Sequence, residues 1–111
     1  AKYLYDALQA CEAVSDFIDG KTKDEYSHDA MLRSAVERQL EILGESFARL
    51  GAVAPQYREQ RADVGRIIGM RNRIIHGYDM VDDDIVWDAA THHLPRLLHW
   101  LQQQGVDGAA Q

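Results

Sequence analysis

The chain has 111 residues, with 12 Lys and Arg set against 18 Asp and Glu, a formal net charge of −6, and a single cysteine. At this length one core is the natural solution, because such a chain buries roughly 60–70% of its unfolded surface, and residues 1–111 read as a single domain. The acidic balance excludes capture of polyanions by the overall field, so any nucleic-acid contact requires a local basic patch; the lone Cys11 excludes an intrachain disulfide and a multi-cysteine metal site.

Apolar residues recur at helical spacing almost everywhere, and strand-like alternation persists nowhere. No apolar run approaches the roughly 18 residues of a membrane span, and no secretory signal pattern is present. Together with the single cysteine this suits a cytoplasmic protein. The chain opens on Ala1-Lys2-Tyr3-Leu4, already inside a helical pattern, which reads as a truncated N-terminus. The first helix is expected over about 2–19. Leu4, Ala7, Leu8, Cys11, Val14 and Ile18 form its buried stripe, and Gly20 suits its C-terminal cap. On that stripe Cys11 reads as a small core hydrophobe.

A second, long helix is expected over about 28–51, capped by Ser27 or Asp29 and ended by Gly51. Leu32, Val36, Leu40, Leu43, Phe47 and Leu50 step by 4, 4, 3, 4 and 3, a heptad-like seam from Val36 onward. Glu37, Arg38, Glu41, Glu45 and Arg49 lie mostly off the seam and read as a solvated face, with Glu45–Arg49 a favourable i, i+4 pair. The seam is long enough that a helix of a second protomer is also a candidate to cover it. Residues 52–62 form a connection around Pro55, with a short helix at 55–60.

The third main helix spans about 62–76 and ends at Gly77, ahead of a turn at Tyr78-Asp79. A fourth starts after Asp82, its N-cap, with Asp83 and Asp84 at the positive helix end. Ile85 or Val86, Ala89, His93, Leu97 and Leu101 continue a buried stripe, and Pro95 must kink or divide that helix. Trp87 and Trp100 read as packing anchors. Residues 105–111 read as a frayed tail. Asp82-Asp83-Asp84 is explained by capping, and His92 and His93 diverge on a helix, so no metal site is expected.

The chemistry concentrates at residues 64–78. At about 100° per residue, Val64, Ile67, Ile68, Ile74 and Ile75 share an apolar face with Arg71 near its middle. A charge on such a face needs a partner or a task. Gly65, Gly69, Asn72 and His76 form a neighbouring stripe, its two glycines permitting close approach of another helix, while Arg73 points away from the core. Arginine binds phosphate through a planar fork, histidine titrates near neutrality, and Asn72 could orient the imidazole or donate to a phosphate oxygen. Arg71 and His76 are five residues apart, about 140° around the helix, so they would flank a groove rather than point side by side. Two readings stand on spacing alone. Either this is a phosphodiester site, or Arg71 is paired with a carboxylate such as Glu37 or Glu41 and His76 interacts with helix-end carbonyls.

Arg71-Asn72-Arg73-Ile74-Ile75-His76-Gly77-Tyr78 resembles the Arg-x4-His-x-Tyr motif of HepT-like toxins, a branch of the HEPN superfamily. Residues 35–45 resemble the family's second-helix signature, and residues 65–77, 84–87 and 93–95 its third and fourth helices. The resemblance implies an all-α, up-and-down bundle of four to five helices that forms a homodimer with its cleft at the interface. It implies a metal-independent endoribonuclease without cofactor, the toxin of a type VII-like toxin–antitoxin system. Arg71, His76 and Asn72 would be catalytic. An MntA-like minimal nucleotidyltransferase antitoxin would inactivate it by transferring AMP from ATP to Tyr78. Residues 58–73 carry Arg58, Arg61, Arg66, Arg71 and Arg73 against Glu59 and Asp63, a surplus of three positive charges from which Arg66 and Arg73 are candidate RNA contacts. The competing expectation, motivated by the acidic charge, is a non-catalytic helical dimer serving as substrate or subunit of a nucleotidyltransferase.

Overall fold

The computed structural model describes residues 2–56, 62–76 and 82–104, with backbone only for residues 62–64 and 76. The described residues are helical with no strand, an up-and-down arrangement as the periodicity requires. Helix α1 spans Lys2–Ile18 and buries Leu4, Ala7, Leu8, Ala10, Cys11 and Val14. It is followed by Gly20 at φ 72°, a left-handed conformation that glycine adopts without a Cβ penalty.

A short helix α2, Lys23–His28, was not expected from the periodicity. Six residues are too few to show a 3.6-residue repeat, but Thr22-x-x-Glu25 is a capping box. The Thr22 hydroxyl accepts from the Glu25 N–H at 3.1 Å, and the Glu25 carboxylate accepts from the Thr22 N–H at 3.0 Å. Its Tyr26 is fully buried and stacks at a tilt on Trp87, with ring centroids 5.4 Å apart.

Helix α3, Ala30–Val53, starts at Asp29, whose carboxylate accepts from the Leu32 N–H at 3.0 Å. Val36, Leu40, Leu43, Phe47 and Leu50 are buried along it, and Leu32 is half-buried. The seam is covered by α1 on one side and by α4, Ala62–His76, on the other, all within one chain. The expected stop at Gly51 is wrong: α3 continues to Val53. What ends it is Pro55, because the residue before a proline is driven out of the helical region, and Ala54 sits at φ −146°, ψ 74°.

Asp82 accepts from the Asp84 N–H at 2.8 Å and caps α5, Asp83–Asp88. A π-helical turn, Ala89–His93, then leads into α6, Leu94–Gln103. Pro95 sits in the first turn of α6, where it lacks no needed donor. The wider turn sends the Leu94 N–H to Ala89 O, five residues back, so the proline is accommodated without breaking the helical path. On this stretch Val86, Ala89, Ala90, Leu94, Leu97 and Leu101 are buried, whereas Ile85 is 46% exposed and His93 is partly exposed. Trp87 and Trp100 pack against the core partly buried. The expected short helix at 55–60, the turn at Tyr78-Asp79 and the tail at 105–111 fall wholly or mostly outside the described residues.

Candidate active site

The site begins with a glycine on α3. A Cβ built at Gly44 would lie 2.3 Å from Arg71 Cβ and 2.8 Å from its Cγ, so only glycine lets α4 close onto α3 at this level. The close-approach glycines expected from sequence were Gly65 and Gly69. Among the described residues no helix makes that approach, since a Cβ at either meets nothing within 4 Å. The contact is made one helix earlier, by a glycine whose presence inside a helix costs about 1 kcal/mol relative to alanine and therefore marks a packing requirement.

Pinned by its stem against Gly44, Arg71 delivers its guanidinium to the polar face of α3. Its Nη2 lies 2.8 Å from Glu45 Oε2, with the two side chains 27% and 38% exposed. Its Nη1 donates to Asn72 Oδ1 at 2.9 Å, and its Nε is buried without a hydrogen-bond partner among the described residues. The carboxylate partner is thus Glu45, one turn beyond Glu41 and two beyond Glu37, the partners expected from sequence. Glu45 Oε1 in turn accepts from Arg49 Nε at 2.7 Å. That hydrogen bond, with Tyr3 next, holds the Arg49 pKa above its usual value. The face of α3 expected to be solvated therefore carries an ion-pair network, in which Glu45 bridges two guanidinium groups.

Arg71 faces a groove of about 420 Å³ between α1, α3 and α4. Lys2 and Arg38 line it too, each holding a carboxylate of its own: Asp6 at 2.8 Å and Glu41 at 3.1 Å. Ile75, 37% exposed, completes its wall. The groove is amphiphilic, and cationic where Arg71 enters it.

Among the other site expectations, Asn72 lies beside Arg71 and is exposed. His76 is the last residue of α4, its side chain outside the described residues, and Tyr78 lies wholly outside them. Arg66 and Arg73 are exposed but are not brought to the Arg71 groove. They line a separate groove of about 530 Å³ with Gly65, Gly69, Ile85 and His93. Arg58 and Arg61 lie outside the described residues, so of the basic run the described part divides between two faces. His92 and His93 do not diverge as expected. His92 Nε2 lies 3.7 Å from Asp88 at i, i+4 spacing, and the π turn brings His93 Nε2, five residues on, to 3.5 Å from the same carboxylate. Among the described residues no group of three His, Cys, Asp or Glu side chains is placed to hold a metal ion, and no helix is long and apolar enough to cross a membrane.

Sequence reasoning missed Gly44, Glu45 and Arg49. The usable signals were a glycine embedded in an apolar seam and, next to it, an acid spaced i, i+4 from an arginine.

A family model described as "Ribonuclease HepT-like" matches residues 7–103. The chain is 33% identical over 97 residues to "Putative RNase TTE0752" of Caldanaerobacter subterraneus subsp. tengcongensis, covering 86% of this chain and 84% of that protein. It is 30% identical over 97 residues to "Putative RNase MJ1380" of Methanocaldococcus jannaschii, covering 86% of each. Similarity to "Probable ribonuclease HepT" of Thermococcus cleftensis is 30% over 102 residues, again covering 86% of each. No solved structure matches the chain.

Proposed function

This chain belongs to the ribonuclease HepT-like family, and we propose that it is an endoribonuclease whose active groove is built around Arg71. The carrying observation is the delivery of the Arg71 guanidinium, fixed by Gly44, Glu45 and Asn72, into a groove wide enough for a phosphodiester. In the proposed reaction the RNA 2′-hydroxyl oxygen forms a bond to the adjacent phosphorus. The bond from phosphorus to the 5′-oxygen of the next nucleotide breaks, leaving a 2′,3′-cyclic phosphate and a 5′-hydroxyl. His76 takes the proton from the 2′-hydroxyl or returns one to the departing 5′-oxygen. Arg71 stabilises the charge that builds on the phosphorane oxygens. Asn72 holds the guanidinium plane. No step is routed through a metal ion.

His76 lies five residues beyond Arg71, about 140° further around α4, a spacing at which the two would flank a groove. A homodimer would bring two such sets together across a two-fold axis. Ile75, 37% exposed at the rim of the Arg71 groove, is an apolar side chain that such an assembly would cover. The wider reading is a cytoplasmic toxin of one domain, held in check by a minimal nucleotidyltransferase. Tyr78 oxygen would bond to the α-phosphorus of ATP, with pyrophosphate leaving, and the added anion beside the groove would repel RNA.

The test is RNA cleavage by the purified protein compared with Arg71→Ala and His76→Ala. Loss in both variants, on the order of 100-fold or more, is expected if they act in the chemical step. Cleavage equal to the parent in both would remove the assignment. Incubation with ATP and the cognate nucleotidyltransferase is expected to add roughly 329 Da per AMP, visible by intact mass and absent in Tyr78→Phe. A stable complex with the nucleotidyltransferase and no RNA turnover would instead favour the non-catalytic reading that the acidic charge motivates.

A further inference from the structure

The carboxylate of Glu45 stands between two guanidinium groups from different helices. Arg49 Nε donates to Oε1 at 2.7 Å, and Arg71 Nη2 lies 2.8 Å from Oε2. The other carboxylates of the groove, Asp6 and Glu41, are each held by a separate cation, Lys2 and Arg38. Glu45 is the one that bridges, and it bridges the arginine at the centre of the site. The Arg71 head still has a buried Nε without a partner among the described residues, so a single carboxylate does not exhaust its donors.

Two arginines converging on one oxyanion are a geometry that phosphate meets as well as carboxylate, since each guanidinium presents a planar fork of donors. Resting on the ribonuclease reading above, we infer that Arg49 and Arg71 form a two-arginine phosphate subsite for the RNA backbone, which Glu45 fills as an internal carboxylate until a substrate phosphate displaces it. Glu45 is four residues from Arg49 on α3 and is 38% exposed, so it can rotate to solvent without disturbing the core. Arg49, 59% exposed, then turns to the phosphate beside Arg71. Glu45 thus acts twice: it orients Arg71 in the free protein, and it sets a threshold against weak anions.

The experiment measures binding of a short 2′-O-methyl oligoribonucleotide, which lacks the attacking hydroxyl, to the full chain at several salt concentrations. Arg49→Ala is expected to weaken binding on the order of 10-fold, as for loss of a charge-assisted contact, and to lower the salt slope by about 0.7, the value for one phosphate contact on a single strand. Glu45→Gln keeps the side-chain shape but removes the competing charge, and is expected to tighten binding several-fold. Arg96→Ala, on the exposed face of α6, serves as the control and leaves binding unchanged. Thermal melts of each variant separate a binding effect from a folding one. Parent-like binding by a folded Arg49→Ala overturns the inference, as does unchanged or weaker binding by Glu45→Gln. The ribonuclease reading fails separately, through intact cleavage by Arg71→Ala.

Discussion

At the scale of single residues, the position that decides the site is one with no side chain. Gly44 lets Arg71 Cβ approach to a distance no other residue would tolerate. Gly44→Ala is expected to destabilise the protein by about 2 kcal/mol, since backbone or stem must shift to admit the methyl group. A melting temperature lowered by about 4–8 °C per kcal/mol would report it. Cleavage should fall in the same variant below the melting range, because Arg71 is pushed from Glu45. Burial poises a different residue for a pH effect. Glu37 is held above its ordinary pKa first by burial, then by the charge of Asp83, with Glu41 adding to it and Arg33 opposing. A carboxyl whose folded pKa is raised favours the folded state when protonated. Its contribution is full below the unfolded value and is lost as pH rises through the raised one. Glu37→Gln is therefore expected to raise the melting temperature at neutral pH, with the gain shrinking towards acid; a gain that grows in acid would contradict it.

At the scale of elements, the second half of the molecule shows how a local conflict is absorbed. A proline inside a regular helix costs about 3 kcal/mol through its missing donor and its clash with the preceding turn. The π turn Ala89–His93 widens the ladder just before Pro95, leaving the ring in the first turn of α6. Pro95→Ala is accordingly expected to change stability by less than about 1 kcal/mol in urea unfolding, far below the cost of an interior proline. A large gain would mean that the strain is still present in the native fold. The same turn draws His93, which an α-helical wheel places about 140° from Asp88, to the carboxylate that His92 already meets at i, i+4 spacing. Lys23–Asp84, at 2.6 Å, and Arg33–Asp83, at 4.0 Å, fasten the acidic start of α5 to the segment around α2 and to α3. The Lys23–Asp84 pair is largely solvent-exposed and contributes little stability, whereas the Arg33–Asp83 pair is partly buried; both hold the first-turn carboxylates that follow the Asp82 cap.

At the scale of the whole molecule, the core is satisfied within one chain, because α1 and α4 cover the α3 seam. The homodimer proposed above therefore does not need the seam, and the rim of the Arg71 groove at Ile75 is the face it would use. If that homodimer forms, Ile75→Asp is expected to leave the fold intact, since the side chain is 37% exposed, while yielding a monomer in light scattering and abolishing cleavage. An Ile75→Asp protein that stays dimeric and active would move the interface elsewhere.

The sequence by itself determined the all-helical architecture, the positions of α1, α3 and α4 to within a few residues, and the cap at Asp82; it left the α3 cap between Ser27 and Asp29, which the structure decides for Asp29. Periodicity and capping are local properties, written in residues three and four apart. It also carried the family motif, and with it Arg71, Asn72, His76 and Tyr78 as candidates. Which carboxylate meets Arg71, which glycine admits it, and that Arg66 and Arg73 line a different groove were decided only by the tertiary structure. Those facts depend on how far one helix is translated and rotated against another, a shift of one turn that leaves each helix's own pattern unchanged. Glu41 and Glu45 are equivalent on the wheel of α3 to within about 40°. Only the register of α4 on α3, set at Gly44, makes Glu45 the partner.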